Sequence, residues 1–469
     1  MIDGLKPYPE YMASGQRWLG QLPRHWQLAP HRLLFAEIND RDHPDAPMLS
    51  VTITKGVIGQ RTLLADSSKK DSSRQDKSAY KLVCPGDIAY NKMRAWQGSI
   101  GASDLRGIVS PAYVVMRLRE AHLPAYFHHL FRTPAFASEA ERWSYGITSD
   151  MWSLRAEHFK MLYSPLPPPE EQAAIVLFLD HANRQIDRFI HTKRKLIALL
   201  NEQKQAIIQH AVTRGLDPNV PMKDSGIASL QAAPAHWDVS ALRRYWEVVD
   251  CKHLTVPFVA DGIPLASVRE VRKFDLSLEH SKKTTNEWYL LLTEGRRKPK
   301  RDDLIYCRNA SVGSVAIVNT DESFAMGQDV CLIRSTGQNQ RFLNYVLHSR
   351  LMTTQLELLL VGSTFKRINV ADIKALTVVV PPRPEQDAIC RFLDAELLKV
   401  DATIARATQE ITLLREYRTR LTADVVTGQL DVGEAARALP EQLPEAPADS
   451  LDDDADLGED EAVEEDEAE

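Results

Sequence analysis

The feature that most constrains the fold is a proline-rich segment that occurs twice in the chain. Pro167–Asp180 reads PPPEEQAAIVLFLD and Pro381–Asp394 reads PPRPEQDAICRFLD, with nine of 14 positions identical at an offset of 214. An apolar run with helical spacing follows each proline cluster. Proline suits the first turn of a helix, because N–H groups there lack intrahelical partners. The repeat therefore predicts two copies of one proline-capped helix.

The repetition extends to the boundaries of both halves. Ser14–Trp26 (SGQRWLGQLPRHW) and Ser225–Trp237 (SGIASLQAAPAHW) share Ser, Gly, Leu, Pro, His and Trp at an offset of 211. After the helical segments come VTRGLD (Val212–Asp217) and VTGQLD (Val426–Asp431). A repeat of about 210–216 residues indicates a duplicated pair of domains and not a solenoid. The segments between these shared boundaries differ in composition, so one scaffold is predicted to hold two different inserts.

Apolar residues in the two helical segments recur at steps of four and three over about five heptads, which is typical of coiled coils. About 40 residues give a helix of roughly 60 Å. Each apolar face is too long for one small domain to cover, so we expect the two helices to pair antiparallel. The alternative is that each helix packs on its own domain. The predicted helix-pair interface consists of Ile175, Leu179, Ile186 and Leu200 with Ile389, Leu393, Val400 and Leu414.

The formal net charge of −7 is unevenly distributed. Residues 434–469 contain 16 acidic residues and one basic residue, whereas residues 1–433 contain 56 Lys and Arg against 48 Asp and Glu, a net +8. The acidic segment has almost no aromatic or β-branched residues, and we predict that it is disordered. The basic body weakly favours a polyanionic partner.

The inserts mix short β-like runs with turn residues and short helices, which predicts an α+β fold and no parallel βαβ array. The expected architecture is two pseudo-repeated α/β-mixed modules, separated by an antiparallel pair of long coiled-coil helices, plus the acidic tail. The predicted boundaries are 1–165 for the first module, 166–215 for the first long helix, 216–380 for the second module, 381–433 for the second long helix and 434–469 for the tail.

Basic and amide side chains recur at equivalent places of the two inserts. Lys and Arg neutralise phosphates, and Arg and Asn can form paired hydrogen bonds with guanine and adenine. A single such cluster is more often a solvated loop, so the recurrence carries the hypothesis. The candidate DNA-binding residues are Lys69, Lys70, Asn91, Lys92 and Arg94 in the first half, and Arg296, Arg297, Arg308, Asn309, Lys366 and Arg367 in the second.

Motifs for catalysis or metal binding are missing from the sequence. It contains no GxxxxGK[ST] phosphate loop, no GxGxxG after a strand, no HExxH and no GxSxG. The five cysteines are odd in number and form no CxxC pair, which argues against disulfides and structural zinc. No apolar run of 18 residues and no signal-peptide pattern is present. We therefore expect a cytoplasmic protein without a catalytic site, a metal or a membrane association.

Taken together, these motifs resemble the specificity subunits of type I restriction–modification systems. The resemblance rests on the two Ser-Gly…His-Trp segments, the strands GDIAYNK (Gly86–Lys92) and DDLIYCR (Asp302–Arg308), the proline-Glu-Gln helix starts and the Val-Thr…Leu-Asp ends. It covers about residues 1–433, and Ser229 replaces Trp18 in the second copy. The acidic tail lies outside the pattern.

The resemblance implies that each module is a target-recognition domain reading one half of a bipartite, asymmetric site in double-stranded DNA. The helix pair would set the spacer and dock two modification (methyltransferase) subunits and two restriction (translocase and nuclease) subunits. S-adenosylmethionine, ATP and Mg would be bound by those partners and none by this chain. The alternatives are a coiled-coil assembly scaffold without sequence-specific DNA binding and, less favoured, an enzyme with an unrecognised site.

Overall fold

The computed structural model describes residues 5–61, 77–119, 122–146, 152–227, 229–335, 337–360 and 367–440. The chain divides into two compact units. The first unit comprises Met1–Lys195 and Ala407–Glu469, and the second comprises Leu196–Arg406. The mixed helix and sheet content that the sequence predicts is confirmed in both units.

The strands of the first unit are β1 Tyr11–Ala13, β2 Gln21–Pro23, β3 Gln27–Pro30, β4 Phe35–Ile38, β5 Leu49–Thr52, β6 Gly56–Gly59, β7 Lys81–Val83, β8 Ile88–Asn91, β9 Ile100–Ala102, β10 Gly107–Val109, β11 Tyr113–Leu118 and β12 Tyr163–Leu166. The unit is built around an antiparallel sheet of order β4-β11-β8-β9, accompanied by the pairs β1-β2, β3-β12, β5-β6 and β7-β10. Its short helices are α1 His31–Leu34, α2 Pro124–Phe131, α3 Pro134–Arg142 and α4 Ala156–Met161, with a 3-10 turn at Ala95–Gln97.

Apolar and aromatic side chains fill the core of the first unit. His31 is fully buried there, with ring centroids 4.5 Å from Phe159 and 5.3 Å from both Phe35 and Phe131. Its Nε2 lies 2.7 Å from the Ser164 hydroxyl. Burial lowers the pKa of His31 to about 3, because the imidazolium would lose its hydration. His31 is therefore a neutral core residue.

The strands of the second unit are β13 Met222–Ile227, β14 Leu230–Pro234, β15 Asp238–Ala241, β16 Glu247–Asp250, β17 Ile263–Ala266, β18 Phe274–Asp275, β19 Lys283–Thr284, β20 Leu304–Cys307, β21 Val315–Ile317, β22 Ala325–Met326, β23 Val330–Arg334 and β24 Thr377–Val380. They form a mixed sheet of order β16-β23-β20-β21-β18, accompanied by β19-β17-β22 and the pairs β13-β14 and β15-β24. The β18-β21 and β17-β22 pairs are parallel.

Two long helices contribute residues to both units. They are α5 Pro169–Arg214, with 46 residues, and α10 Arg383–Val426, with 44 residues. The shorter helices of the second unit are α6 Asn286–Thr293, α7 Gln340–Leu347, α8 Arg350–Leu360 and α9 Val370–Ala375, with a 3-10 turn at Leu242–Arg244. Each unit thus contains the start of one long helix and the end of the other.

The two long helices are in contact within each unit. In the first unit Arg418 pairs with Asp187 and Lys193 pairs with Glu410, both at 2.6 Å, so residue numbers rise on α5 as they fall on α10. In the second unit Lys204 lies 2.6 Å from Asp401. Of the predicted interface residues, Ile175 and Leu179 lie in the first unit's core, Ile389 and Leu393 lie in the second unit's core, Ile186 and Val400 are buried, and Leu200 and Leu414 are half-buried.

The start of the predicted disordered tail differs from the expectation. Gly433–Arg437 form a short helix, α11, with Ala436 buried in the first unit's core and Leu439 packed against it. The acidic residues beyond position 440 lie outside the described residues. Within the described residues, no helix combines the length and the apolar character needed to cross a membrane.

Candidate functional site

The strand-end residues Lys92 and Arg308, which the sequence predicts as equivalent, share one backbone contact. Each follows the corresponding strand, β8 or β20. The Leu154 N–H donates to the Lys92 carbonyl at 2.8 Å, and the Ile368 N–H donates to the Arg308 carbonyl at 3.0 Å. A returning segment therefore fixes this position in each unit, while the side chain remains free to differ.

In the first unit, Lys92 lines a cleft of about 630 Å³. The cleft is mainly polar, and its lining includes Glu37, Lys81, Lys92, Tyr145, Ser153, Arg155 and Glu157. Lys81 is buried and its Nζ donates to the Tyr113 carbonyl at 2.6 Å. Burial and then the nearby Lys92 charge lower the pKa of Lys81. The cleft lining therefore carries three basic side chains against two carboxylates, beside a partly desolvated wall.

The other predicted residues of the first unit shape the adjoining turn. The Asn91 side-chain oxygen accepts a hydrogen bond from the Met93 N–H at 2.9 Å, and the Arg94 carbonyl accepts bonds from two N–H groups of the following turn. The Trp96 indole donates to the Met93 carbonyl at 2.8 Å and its ring centroid lies 5.6 Å from that of Trp152. Lys69 and Lys70 lie outside the described residues, so the structure leaves their predicted role untested.

In the second unit, Arg308 is an internal residue. Its side chain is 5% exposed, and its guanidinium lies 2.9 Å from a carboxylate oxygen of Asp250. The Arg297 Nε donates to the Asp250 carbonyl at 2.9 Å. The structure thus brings Arg297 and Arg308 together around Asp250, where both are already engaged with protein atoms.

The remaining predicted residues of the second unit lie near this group or on its surface. Asn309 forms a β-bridge with Arg367, whose side chain is half exposed and 3.7 Å from Asp329. Arg296 is 70% exposed and pairs with Glu247 at 2.8 Å. Arg296 and Arg367 therefore offer the more accessible guanidinium groups, and Lys366 lies outside the described residues.

Asp250 also belongs to the one three-residue group of potential metal ligands among the described residues. Its partners are Cys251 and His253, with the ligand atoms within 4.8 Å of one another. The paired Arg308 guanidinium supplies a positive charge to Asp250, and burial raises the pKa of the Cys251 thiol. The guanidinium already occupies a carboxylate oxygen of Asp250 and would repel a cation, and the raised thiol pKa opposes the thiolate that a metal ion needs. The donor set therefore does not favour a metal.

A second recurring arrangement connects the module to the start of each long helix. In the first unit, Glu171 of α5 lies 2.9 Å from the His25 Nε2 and accepts a hydrogen bond from the Trp26 indole at 3.0 Å. In the second unit, Glu385 of α10 lies 2.8 Å from the His236 Nε2. The recurring Pro-x-His-Trp segment therefore binds the first turn of the following long helix in both units.

The glutamine after each of these glutamates is fully buried and has matching partners. The Gln172 amide donates to the Pro167 carbonyl at 2.9 Å and the Gln386 amide donates to the Pro381 carbonyl at 2.8 Å. Their side-chain oxygens accept bonds from the N-cap residues of α2 and α7, at 3.1 and 2.9 Å. Sequence reasoning placed the glutamates at helix starts but missed these long-range contacts, although the paired recurrence of the two motifs was the signal for them.

Comparisons with known proteins agree with the resemblance inferred from the motifs. Residues 259–413 match the family model of the type I restriction modification DNA specificity domain. The chain is 25% identical over 65% of its length to the EcoBI specificity subunit of a type I restriction enzyme from Escherichia coli, covering 68% of that protein. It is 24% identical over 58% of its length to the MjaVIII specificity subunit from Methanocaldococcus jannaschii, covering 63% of that protein. The alignments span 62% to 68% of the length of the curated relatives.

A solved structure shows that the fold is shared along most of the chain. It belongs to a study of complex assembly and conformational transition of the type I R-M system, and it superposes with a TM-score of 0.64 at 17% identity. The match covers 86% of this chain and 98% of the other. The chain thus resembles type I restriction–modification specificity subunits in sequence, and it shares its fold with a chain from a type I R-M system.

Proposed function

We propose that the chain is the DNA sequence-specificity subunit of a type I restriction–modification complex. Its two modules would be target-recognition domains, each reading one half of a bipartite, asymmetric DNA site. The observation that carries this proposal is the equivalent strand-end position in the two units, where the same backbone contact holds Lys92 in one and Arg308 in the other. A duplicated scaffold that presents different side chains at one position suits the reading of two different half-sites.

We further propose that the two units are copies of one scaffold and that the long helices form an antiparallel coiled coil that sets the gap between the half-sites. The opposed order of ion pairs in the first unit supports this pairing. At 1.5 Å per residue, the 46 residues of α5 correspond to about 70 Å. One heptad added at matched places of both helices adds about 10 Å of rod, or about three base pairs of DNA. A target gap that stays constant after this insertion contradicts the proposal.

The chemistry of the complex would be supplied by other subunits. The proposed partners are two modification subunits, which would bind S-adenosylmethionine and methylate DNA, and two restriction subunits, which would use ATP and Mg. They would dock on the exposed faces of α5 and α10. This chain would contribute phosphate contacts that set the register and base contacts that select the sequence.

The test is selection of bound duplexes from a random DNA pool by the full-length chain, alone and with a co-expressed modification subunit, followed by sequencing. The expected result is one split motif with a constant gap. As a control, Arg24→Ala should select the same motif as wild type, since Arg24 is exposed and paired with Glu10 at 2.9 Å in the same unit as Lys92. Retention of DNA without any enriched sequence, in both samples, supports the scaffold alternative instead.

A further inference from the structure

The cleft of the first unit has two walls that carry positive charge. Lys92 follows β8, whereas Arg155 precedes α4, and both line the same cavity of about 630 Å³. Among the described residues, neither the Lys92 ammonium nor the Arg155 guanidinium takes part in a hydrogen bond or ion pair. The buried Lys81 adds a third cation to the lining. The cleft lining also contains two carboxylates, Glu37 and Glu157. Glu37 is paired with Lys160 at 3.0 Å, so Glu157 is the remaining carboxylate that could offset the cations of the lining.

The equivalent position of the second unit is neutralised within the protein. Arg308 pairs with Asp250 at 2.9 Å and is nearly inaccessible. Asp250 lies beside Tyr306 through Cys331, and continuing the β4–β11 register one residue past Ile38 places Asn39 at the corresponding position beside Tyr90 in the first unit. The Asn39 side-chain oxygen accepts a hydrogen bond from Arg41 at 3.0 Å, and an amide carries no charge to offset Lys92. The first unit therefore lacks the internal counter-ion that the second unit provides.

From this contrast we propose that Lys92 and Arg155 form a clamp for a backbone phosphate of DNA in the cleft of the first unit, and that Arg308 is a positioning residue which does not contact DNA. This inference rests on the function proposed above and specifies it. A phosphodiester carries one negative charge and oxygen acceptors for both side chains, and charge-assisted hydrogen bonds of this kind are strong. The two equivalent positions thus have different roles.

The chemistry of the clamp favours a phosphate over a base edge. Lysine presents a compact ammonium whose three donors do not define a planar pair of hydrogen bonds, and such contacts set register without reading sequence. Near a partly buried wall, two cations without an ion-pair partner among the described residues attract an anion more strongly than they do in water, even with Glu157 in the same lining. The Lys81 ammonium in the same lining adds to this potential where it is protonated.

The experiment measures the affinity of the full-length chain for a selected duplex and for a shuffled duplex of equal length, over a range of salt concentrations. Lys92→Ala, Arg155→Ala and the double variant are compared with wild type and with Arg24→Ala. Loss of one phosphate contact lowers the magnitude of the slope of log K against log salt by about 0.9. We expect this change in the clamp variants, with about a tenfold loss of affinity on both duplexes. Arg24→Ala is expected to keep the wild-type slope.

Two results on DNA overturn the clamp: an unchanged salt slope in the double variant, or a loss of affinity confined to the selected duplex. A separate binding assay with adenosine monophosphate gives a third. Tight binding of this nucleotide that Lys92→Ala abolishes, while the DNA slope stays constant, also overturns the clamp. Because Arg155 is exposed, Arg155→Ala tests the clamp even if Lys92→Ala fails to fold.

For Arg308, we expect Arg308→Ala to leave the slope on shuffled DNA unchanged, and a fall of about 0.9 in its magnitude refutes the positioning role. Should wild type show no sequence preference, the proposed function fails, while the slope comparison still tests the clamp.

Discussion

Substitution of Gly428 by alanine tests whether the Val-Thr…Leu-Asp motif exists to let the end of α10 pack closely on the module. Gly428 has φ of +75°, a left-handed conformation. A Cβ atom there would lie 2.4 Å from the Pro23 Cδ and 3.0 Å from the Trp26 Cζ3. Both neighbours are buried ring systems, so neither can move away cheaply.

The expected cost has two parts. A left-handed alanine costs about 1–2 kcal/mol, of which about 0.4–1 kcal/mol is offset because alanine reduces the entropy of the unfolded chain. The contact with Pro23 and Trp26 forces a shift of packed atoms that costs about 1–3 kcal/mol. We therefore expect Gly428→Ala to lower the free energy of unfolding by about 2–4 kcal/mol.

Gly15 provides a matched control in the same unit. Its φ is +70°, and nothing lies within 4 Å of the position of an added Cβ. Gly15→Ala therefore carries the backbone cost alone, about 1 kcal/mol. Urea unfolding followed by circular dichroism measures both variants, and hydrogen exchange of peptides around Trp26 and Gly428 locates the change. Values within about 0.5 kcal/mol of each other refute the close-packing argument.

Three further predictions concern pH, a buried ion pair and the helix pairing. The pKa of His31 is about 3 in the folded protein and about 6.5 in the unfolded chain. The free energy of unfolding therefore falls as the pH drops below 6.5, by about 2 kcal/mol at pH 5. Urea unfolding at several pH values should show a smaller fall in His31→Phe. Arg308→Ala should lower the free energy of unfolding by about 1–3 kcal/mol, less than the loss of one partner of a fully buried ion pair, because Asp250 is 34% exposed. In urea unfolding, the added substitution Asp250→Ala should restore part of this loss. Lys204→Glu should lower the free energy of unfolding by less than about 1 kcal/mol, because the ion pair with Asp401 is partly exposed. Thermal melts should show that the added substitution Asp401→Lys restores the lost stability.

The sequence predicted the long helices well because their signals are local. Proline at the start, a heptad pattern and a glycine at the end are read within the segment itself, and α5 occupies Pro169–Arg214 inside the predicted range 166–215. The start of the tail was predicted less well. Ala436 and Leu439 are small contributions to a core formed by distant parts of the chain, and composition does not reveal such packing.

The candidate site was only partly predictable for the same reason. Matching strands identified Lys92 and Arg308 as equivalent, since the pattern around them recurs. Their different burial depends on Asp250, at the end of β16, and its counterpart Asn39, which directly follows β4; both lie far from the strand-end residues in the sequence. No single-sequence pattern pairs these strands, so the neutralisation of Arg308 became visible only in three dimensions.

The junction between module and helix explains why some residues recur while the strand-end side chain varies. Glu171 and Glu385 each join a His-Trp segment to a long helix, and Gln172 and Gln386 each accept a hydrogen bond from the N-cap residue of α2 or α7. These contacts need particular side chains. The Lys92 position is instead held through its backbone carbonyl, which any residue supplies. The same carbonyl contact therefore occurs with a half-buried lysine in one unit and a buried arginine in the other, which is the freedom that two different half-sites would require.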